Sequence, residues 1–403
     1  MKFFWQNLKR AKLNDFTWVV VNQVILSLGA FALIVVLSNV LGAETFGKAR
    51  FLTAALAIFT FFSLPGMGPV VLQQMPLYSY DGFKQALLVQ SKWGVGATIG
   101  ALLLAVLLYL QGDIDLARAF VISGILAPVV NLYLMPGTAL AGQHDFARKT
   151  LYDGAIISCT VLGTWYGALT TGTVTGTMLW YYGTQAMATV VAVYFVKQHL
   201  TSTVNPTFDF KADIRMGKQL TLFQLPFTLL PALEKMLVFI FLGPVSLALY
   251  TIAFLPVEHI TNVYRNTLQF FVLPKLQMRG AWQQNFYHWL LMAFLLSLVS
   301  IVAIGCFTFL LLSEMFPKYA QVKTIMLLSA IIPLALPAHL YILKILYERQ
   351  TERLYTYAIV TVVIEITIFV MLTATYGLIG TVVAKIMASL FAAVTAYVLY
   401  RSR

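Results

Sequence analysis

Seven ionisable side chains interrupt long apolar runs in the second half of the chain: Glu234, Lys235, Glu258, Arg265, Lys344, Glu365 and Lys385. A charge in hydrocarbon is costly unless it faces a bundle interior or a wet cavity, where it marks an ion path or a proton relay. At about 100° per residue, Glu258, Asn262, Arg265 and Gln269 share one helix face, and Tyr357, Thr361 and Glu365 form a second polar stripe. At about 1.5 Å per residue, Glu258 and Glu365 fall near the bilayer midplane. Carboxylates at that depth can carry a coupling proton or ligate sodium, the role assigned to Glu258, Glu365 and Glu234. The competing reading is that the four bases and three acids pair across helices and only orient packing. The first half shows no comparable mid-helix charge. Cys159 and Cys306 lie inside apolar runs, and His259 and His339 read as packed side chains. With no nucleotide-binding loop, metal-ligand cluster or Ser/His/Asp arrangement, the chain is not expected to be an enzyme, to hold a metal or to need a cofactor.

The elements that must carry these residues follow from composition. Apolar residues make up 60% of the 403 and charged residues only 10%, against roughly a quarter charged in soluble domains. Lipid must therefore be the main solvent. The fold class expected is an all-α integral membrane protein. Segments of about 20 apolar residues span a bilayer, and twelve qualify: 17–41, 51–72, 88–110, 120–140, 151–169, 174–196, 220–242, 249–274, 289–312, 323–347, 355–375 and 378–400. The first reads as an uncleaved helix, being too long for a signal-peptide core. With the N-terminus inside, eighteen basic loop residues face the cytoplasm and five, Lys48, Arg50, Arg118, Lys318 and Lys323, face out. That asymmetry places both termini in the cytoplasm. It also explains the net charge of +12 without nucleic acid.

The longest hydrophilic stretch, 201–219, divides the chain into an N-terminal lobe, 1–200, and a C-terminal lobe, 220–403. Leu41-Gly42 recurs at Leu242-Gly243, Gly176-Thr177 at Gly380-Thr381, and Lys197 at Arg401. Six spans per lobe give both lobes the same topology, a parallel repeat of the kind that carries substrate between halves. Pro65, Gly66 and Gly68, then Pro226 and Pro231, then Pro333 and Pro337 should break or bend their helices and are the candidate hinges.

Four stretches carry a family resemblance: Leu41-Gly42-Ala43-Glu44-Thr45-Phe46-Gly47, Gly66-Met67-Gly68-Pro69, Glu234-Lys235 running through Leu242-Gly243 to Tyr250-Thr251-Ile252-Ala253, and Tyr376-Gly377-Leu378-Ile379-Gly380-Thr381. In order and spacing the chain resembles the polysaccharide (O-antigen) flippases of the multidrug/oligosaccharidyl-lipid/polysaccharide (MOP) exporter superfamily. It departs from them at Gln73, where a basic residue is common, and at Glu234, where aspartate is more usual.

The resemblance implies two pseudo-symmetric six-helix lobes of MATE-like fold in a cytoplasmic (inner) membrane. It also implies a secondary transporter that flips a polyprenyl-diphosphate-linked oligosaccharide for polysaccharide assembly by alternating access. Membrane lipid, the lipid-linked glycan and polysaccharide polymerase proteins are the implied partners, and a proton or sodium ion the implied driving ion. A diphosphate calls for cations, and arginine grips phosphate in a fork. Arg265 and Lys235, then Lys385 and Lys344, are the implied contacts, with Asn262 and Gln269 alongside. The alternatives are a MATE-like multidrug or small-molecule exporter and a non-transporting membrane scaffold.

Overall fold

The computed structural model describes residues 15–75, 80–199, 210–267, 281–347 and 351–401, and among them there is helix and no strand. The chain divides into two compact units, Met1–Ala232 and Leu233–Arg403. Eight segments are long and apolar enough to cross a membrane among the described residues. The protein is a multi-pass membrane protein.

The N-terminal unit contains α1 (Asp15–Val40), α2 (Ala43–Phe59), α3 (Met67–Gln74), α4 (Tyr80–Leu110), α5 (Ile114–Val130), α6 (Met135–Gly142), α7 (Phe146–Thr171) and α8 (Val174–Lys197). It also includes the start of α9 (Phe210–Thr267). Packing follows lipid rules, with small residues inside and large ones outside. In α4, Ala97, Ala101 and Ala105 are buried at helical spacing, while Leu103 and Leu110 are 64% and 76% exposed. Helix ends meet side-chain partners. Asp113 accepts from the Leu116 N–H at the start of α5, and Asp115 accepts from the Val174 and Thr175 N–H groups, tying α8 to α5. These caps satisfy donors that hydrocarbon cannot.

The Pro65–Pro69 stretch breaks its helix as expected. A 3-10 turn, Thr60–Ser63, ends at Leu64 in the left-handed region (φ 55°) before α3 begins. Gly66 donates its N–H to Thr221 Oγ1 at 2.9 Å. A Cβ at Gly66 would meet the Gly217 carbonyl oxygen at 2.3 Å, so the early turns of α9 are seated on this glycine. That contact bears on the 201–219 linker. Residues 201–209 lie outside the described residues, while 210–219 are helical and packed with the N-terminal unit. The division between units comes later, one residue after Pro231. Pro226 likewise sits within α9.

The C-terminal unit contains the rest of α9, then α10 (Ala281–Cys306), α11 (Leu312–Met315), α12 (Lys323–Ser329), α13 (His339–Tyr347) and α14 (Thr351–Arg401). Pro333 and Pro337 sit in a 3-10 segment, Ile332–Ala338, that separates α12 from α13. α9 and α14 are not straight rods. Gly243 (φ 83°, ψ 177°) and Gly377 (φ 60°, ψ −140°) each turn a helix back on itself. Lys235 and Glu258 would stand about 35 Å apart on a straight helix, yet their charged atoms are 2.9 Å apart. Arg353 likewise reaches the Leu399 carbonyl at 3.0 Å across α14. Each long helix is therefore a hairpin of two arms, turned between two of the apolar segments read from the sequence.

Both turn glycines occupy backbone regions that are nearly closed to other residues. Gly243→Ala and Gly377→Ala should each cost about 1–3 kcal/mol, seen as a lower thermal unfolding midpoint in detergent. Gly305 lies within α10 with nothing near its Cβ position. Gly305→Ala should leave the midpoint unchanged or raise it.

Candidate functional site

Five charged side chains of the C-terminal unit, Glu234 buried and Lys235, Glu258, Glu365 and Lys385 half-buried, converge from four helical arms. Glu234 and Lys235 stand before Gly243 in α9, and Tyr250 and Glu258 after it. Glu365 stands before Gly377 in α14, and Lys385 after it. Glu234, only 2% exposed, sits at the centre. Its Oε2 accepts from the Tyr250 hydroxyl at 3.1 Å and pairs with Lys385. Its Oε1 is buried with no hydrogen-bond partner among the described residues. Lys235 Nζ lies 2.9 Å from Glu258 Oε1 and 3.1 Å from Oε2. Glu365 and Glu258 both lie within electrostatic range of Lys385 and of Tyr250. Among the described side chains, three carboxylates and two ammonium groups lie within electrostatic range of one another.

The two ion pairs differ in access. Glu234 and Lys385 have side chains 3% and 18% exposed, whereas Glu258 is 33% exposed beside Lys235 at 13%. The first pair is a buried anchor. The second is reachable.

The sequence-derived candidates fall into groups. Glu234, Glu258, Glu365, Lys235 and Lys385 come together. Lys344 does not join them. It is buried, donates to the Tyr400 hydroxyl at 2.7 Å and lies over the Phe286 and Tyr400 rings at 5.1 and 4.5 Å. That is a cation–π setting. Asn262 is exposed on α9. The side chain of Arg265 and the whole of Gln269 lie outside the described residues. Tyr357 and Thr361 are buried on one stripe, as their spacing predicts.

Two features escape the sequence reading. Tyr250, part of a quoted motif but given no role, holds the central carboxylate. Its signal was its distance from the Gly243 turn, nearly matching that of Glu234 on the other arm. The first half, expected to show no comparable mid-helix charge, does bury one closer to a helix end. Asp153 in α7 is 4% exposed, accepts from Asn22 Nδ2 at 3.0 Å and pairs with Lys149. Asp153 is the third residue of the 151–169 segment and four after Lys149, so in the sequence it reads as a charge at a basic span end. Gly137 makes room for it, since a Cβ there would lie 2.2 Å from Asp153 Oδ1.

No family model and no curated protein match the chain by sequence. Solved structures do match by fold. An inward-facing multidrug-resistance MATE transporter of the MOP superfamily superposes with a TM-score of 0.62 at 13% identity, covering 96% of this chain and 98% of the other. A MATE transporter in complex with MaD5 gives 0.65 at 12%, covering 94% and 92%. A MOP-superfamily transporter from Pyrococcus furiosus, whose binding pocket of reverse polarity suggests a different function, gives 0.56 at 13%, covering 97% and 96%. The fold is that of MATE transporters of the MOP superfamily.

Removing one partner of a buried ion pair leaves an uncompensated charge, at a cost of about 3–5 kcal/mol. Glu234→Gln should therefore lower the unfolding midpoint strongly. Adding Lys385→Met should restore part of the loss, because the stranded ammonium is then gone. A double-mutant cycle on thermal unfolding checks this, and simple additivity would argue against the pair.

Proposed function

We propose that this protein is an ion-coupled secondary transporter that moves a polyprenyl-diphosphate-linked oligosaccharide across a membrane by alternating access. The observation that carries the reading is the charge cluster around Glu234 and Tyr250, with three carboxylates against two lysines in a fold of the MOP type. Carboxylates gathered within spanning helices are costly in a static scaffold and useful in a transporter. Binding a proton or a sodium ion would change the charge of the cluster by one unit and so favour one conformation over another.

We further take the chain to cross the membrane twelve times. Eight segments are long and apolar, two of them fold back at Gly243 and Gly377 and so count twice, and α7 and α8, of 26 and 24 residues, are long enough to span. Six spans then fall in each lobe, with both termini cytoplasmic as the basic loops require. A cytoplasmic membrane is the setting in which lipid-linked glycan and its polymerases would be met.

The diphosphate contact falls on Arg265 and Lys235. Lys385 is committed to Glu234, and Lys344 to its aromatic neighbours. Lys235 is available by exchange, since its partner Glu258 is the most open of the paired carboxylates. Neutralising Glu258 frees the Lys235 ammonium for a phosphate oxygen. Ion and cargo then act on one pair, which makes their binding thermodynamically linked. Export of a small molecule is the second reading, favoured by the fact that both Lys235 and Lys385 already hold carboxylates. In the Pyrococcus furiosus protein of similar fold, a binding pocket of reverse polarity suggests a different function.

Reconstituted in vesicles bearing a fluorescent lipid-linked oligosaccharide, the wild-type protein should translocate it in response to a proton or sodium gradient. Glu258→Gln and Glu365→Gln should each reduce gradient-driven transfer at least about tenfold, matching the loss of about 1.4 kcal/mol or more of coupling. Arg265→Ala should weaken cargo binding. Wild-type rates in all three would overturn the assignment. Efflux of cationic dyes without glycolipid transfer would select the exporter.

A further inference from the structure

The N-terminal unit holds a cavity of about 650 Å³ that the charge cluster does not use. Its walls come from the end of α2, the Pro65–Pro69 break, α4, α5 and α8. No charged residue is among those that line it. Polar side chains are, and several are unsatisfied. Gln90 Oε1, Ser123 Oγ, Asn131 Nδ2 and Gln185 Oε1 are all buried without a hydrogen-bond partner among the described residues. Gln90, Ser123 and Gln185 are 6%, 0% and 8% exposed. Four such atoms around one cavity stand apart from the usual satisfaction of buried polar groups.

The chemistry of the wall selects the class of ligand. A phosphate or ammonium group would find no counter-charge among the lining residues, since Arg50, within electrostatic range of Tyr181 and Tyr182, is not one of them. An acyl chain would leave the amides unpaired, a cost that makes polar sites reject apolar ligands. Three amides and a hydroxyl offer both donors and acceptors, whichever way each amide is turned. Tyr181 and Tyr182 add ring faces, set edge to face at 4.6 Å between centroids. Hydroxyl-bearing rings with one apolar face need this combination. The volume falls in the range of roughly 300–1,000 Å³ typical of small-ligand sites.

We propose that this cavity is a binding site for neutral sugar rings, with Gln90, Asn131 and Gln185 as hydroxyl partners and Tyr181 and Tyr182 as the packing surface. The choice of sugar rests on the glycan-transporter reading above, whereas the neutral, hydroxyl-pairing character rests on the wall alone. In this assignment the Pro65–Pro69 break shapes a wall of the site, with Gly68 lining it and carrying no side chain to fill it. The hinge expected from sequence at this place becomes part of a recognition surface.

The test uses the full chain, purified in a detergent without a sugar head group. Saturation-transfer NMR is read with maltose, lactose and N-acetyllactosamine as neutral probes, and with sialyllactose as a charged one. At least one neutral probe should bind saturably and the charged one more weakly. The Gln90→Leu/Gln185→Leu variant should weaken binding about tenfold, the effect of two lost neutral hydrogen bonds, with an unchanged unfolding midpoint. Ser123→Ala, which removes one hydroxyl with little change in volume, serves as a second variant and should weaken binding by a smaller factor. Absence of saturable binding by the wild type, as when water alone satisfies the amides, would overturn the proposal. So would equal binding by both folded variants. The vesicle assay separates the two readings. Sugar binding without glycolipid transfer refutes the flippase and keeps the site, whereas transfer untouched by the double leucine variant refutes the site and keeps the flippase.

Discussion

Hydrocarbon supplies no hydrogen-bond partner, so a charge buried in a spanning helix must find its counter-charge on another helix. The C-terminal unit is organised around that requirement. Lys385 and Glu234 are separated by about 150 positions in the chain yet share an ion pair. Lys235 meets Glu258 only because α9 folds back, and Arg353 meets Leu399 only because α14 does, each at a glycine with positive φ. The turns and the charges therefore depend on each other. A helix of α9's length left straight would expose its acids and bases at different depths with no partner for either.

The sequence makes the turns legible, because a glycine between two apolar runs of spanning length leaves little other place for a reversal. It also makes visible that the charges belong to the second half. It does not reveal which charge meets which. Helical spacing puts Glu258 and Arg265 on one face of α9, and it does not foretell the ion pair that Glu258 makes with Lys235 on the opposite arm. Cross-arm pairing depends on the tilt and rotation of each helix, and these are set by packing that no single stretch encodes. The unit boundary is a second case. Hydrophilicity marks 201–219 as a linker, but the Gly66–Thr221 contact binds the following turns to the N-terminal unit and moves the division to Ala232. A close backbone approach leaves only a glycine in the sequence, and glycine has many uses.

Asp153 shows the same limit from the other side. Near a basic end of α7 it reads as one more loop charge. Burial comes from Asn22 on α1, over a hundred positions earlier, and from the space left by Gly137. None of these residues announces the others.

The two units bury different kinds of polarity. In the C-terminal unit the charged groups gather in ion pairs around Glu234, whose Oε1 is among the buried atoms without a hydrogen-bond partner in the described residues. In the N-terminal unit the cavity wall is neutral, and its unpartnered groups are amides and a hydroxyl. These differ in what they can respond to. An ionised cluster changes its energy steeply when one cation binds, since in a medium of low effective dielectric each unit of charge interacts over several ångströms. A neutral wall responds little to ions but discriminates by the geometry of hydrogen bonds. A single site asked to do both would compromise: a lysine placed to read a hydroxyl would also answer to every proton entering the cluster. In the proposed division, ion response on the arms of α9 and α14 and neutral recognition on α4, α5 and α8 could each be tuned without altering the other.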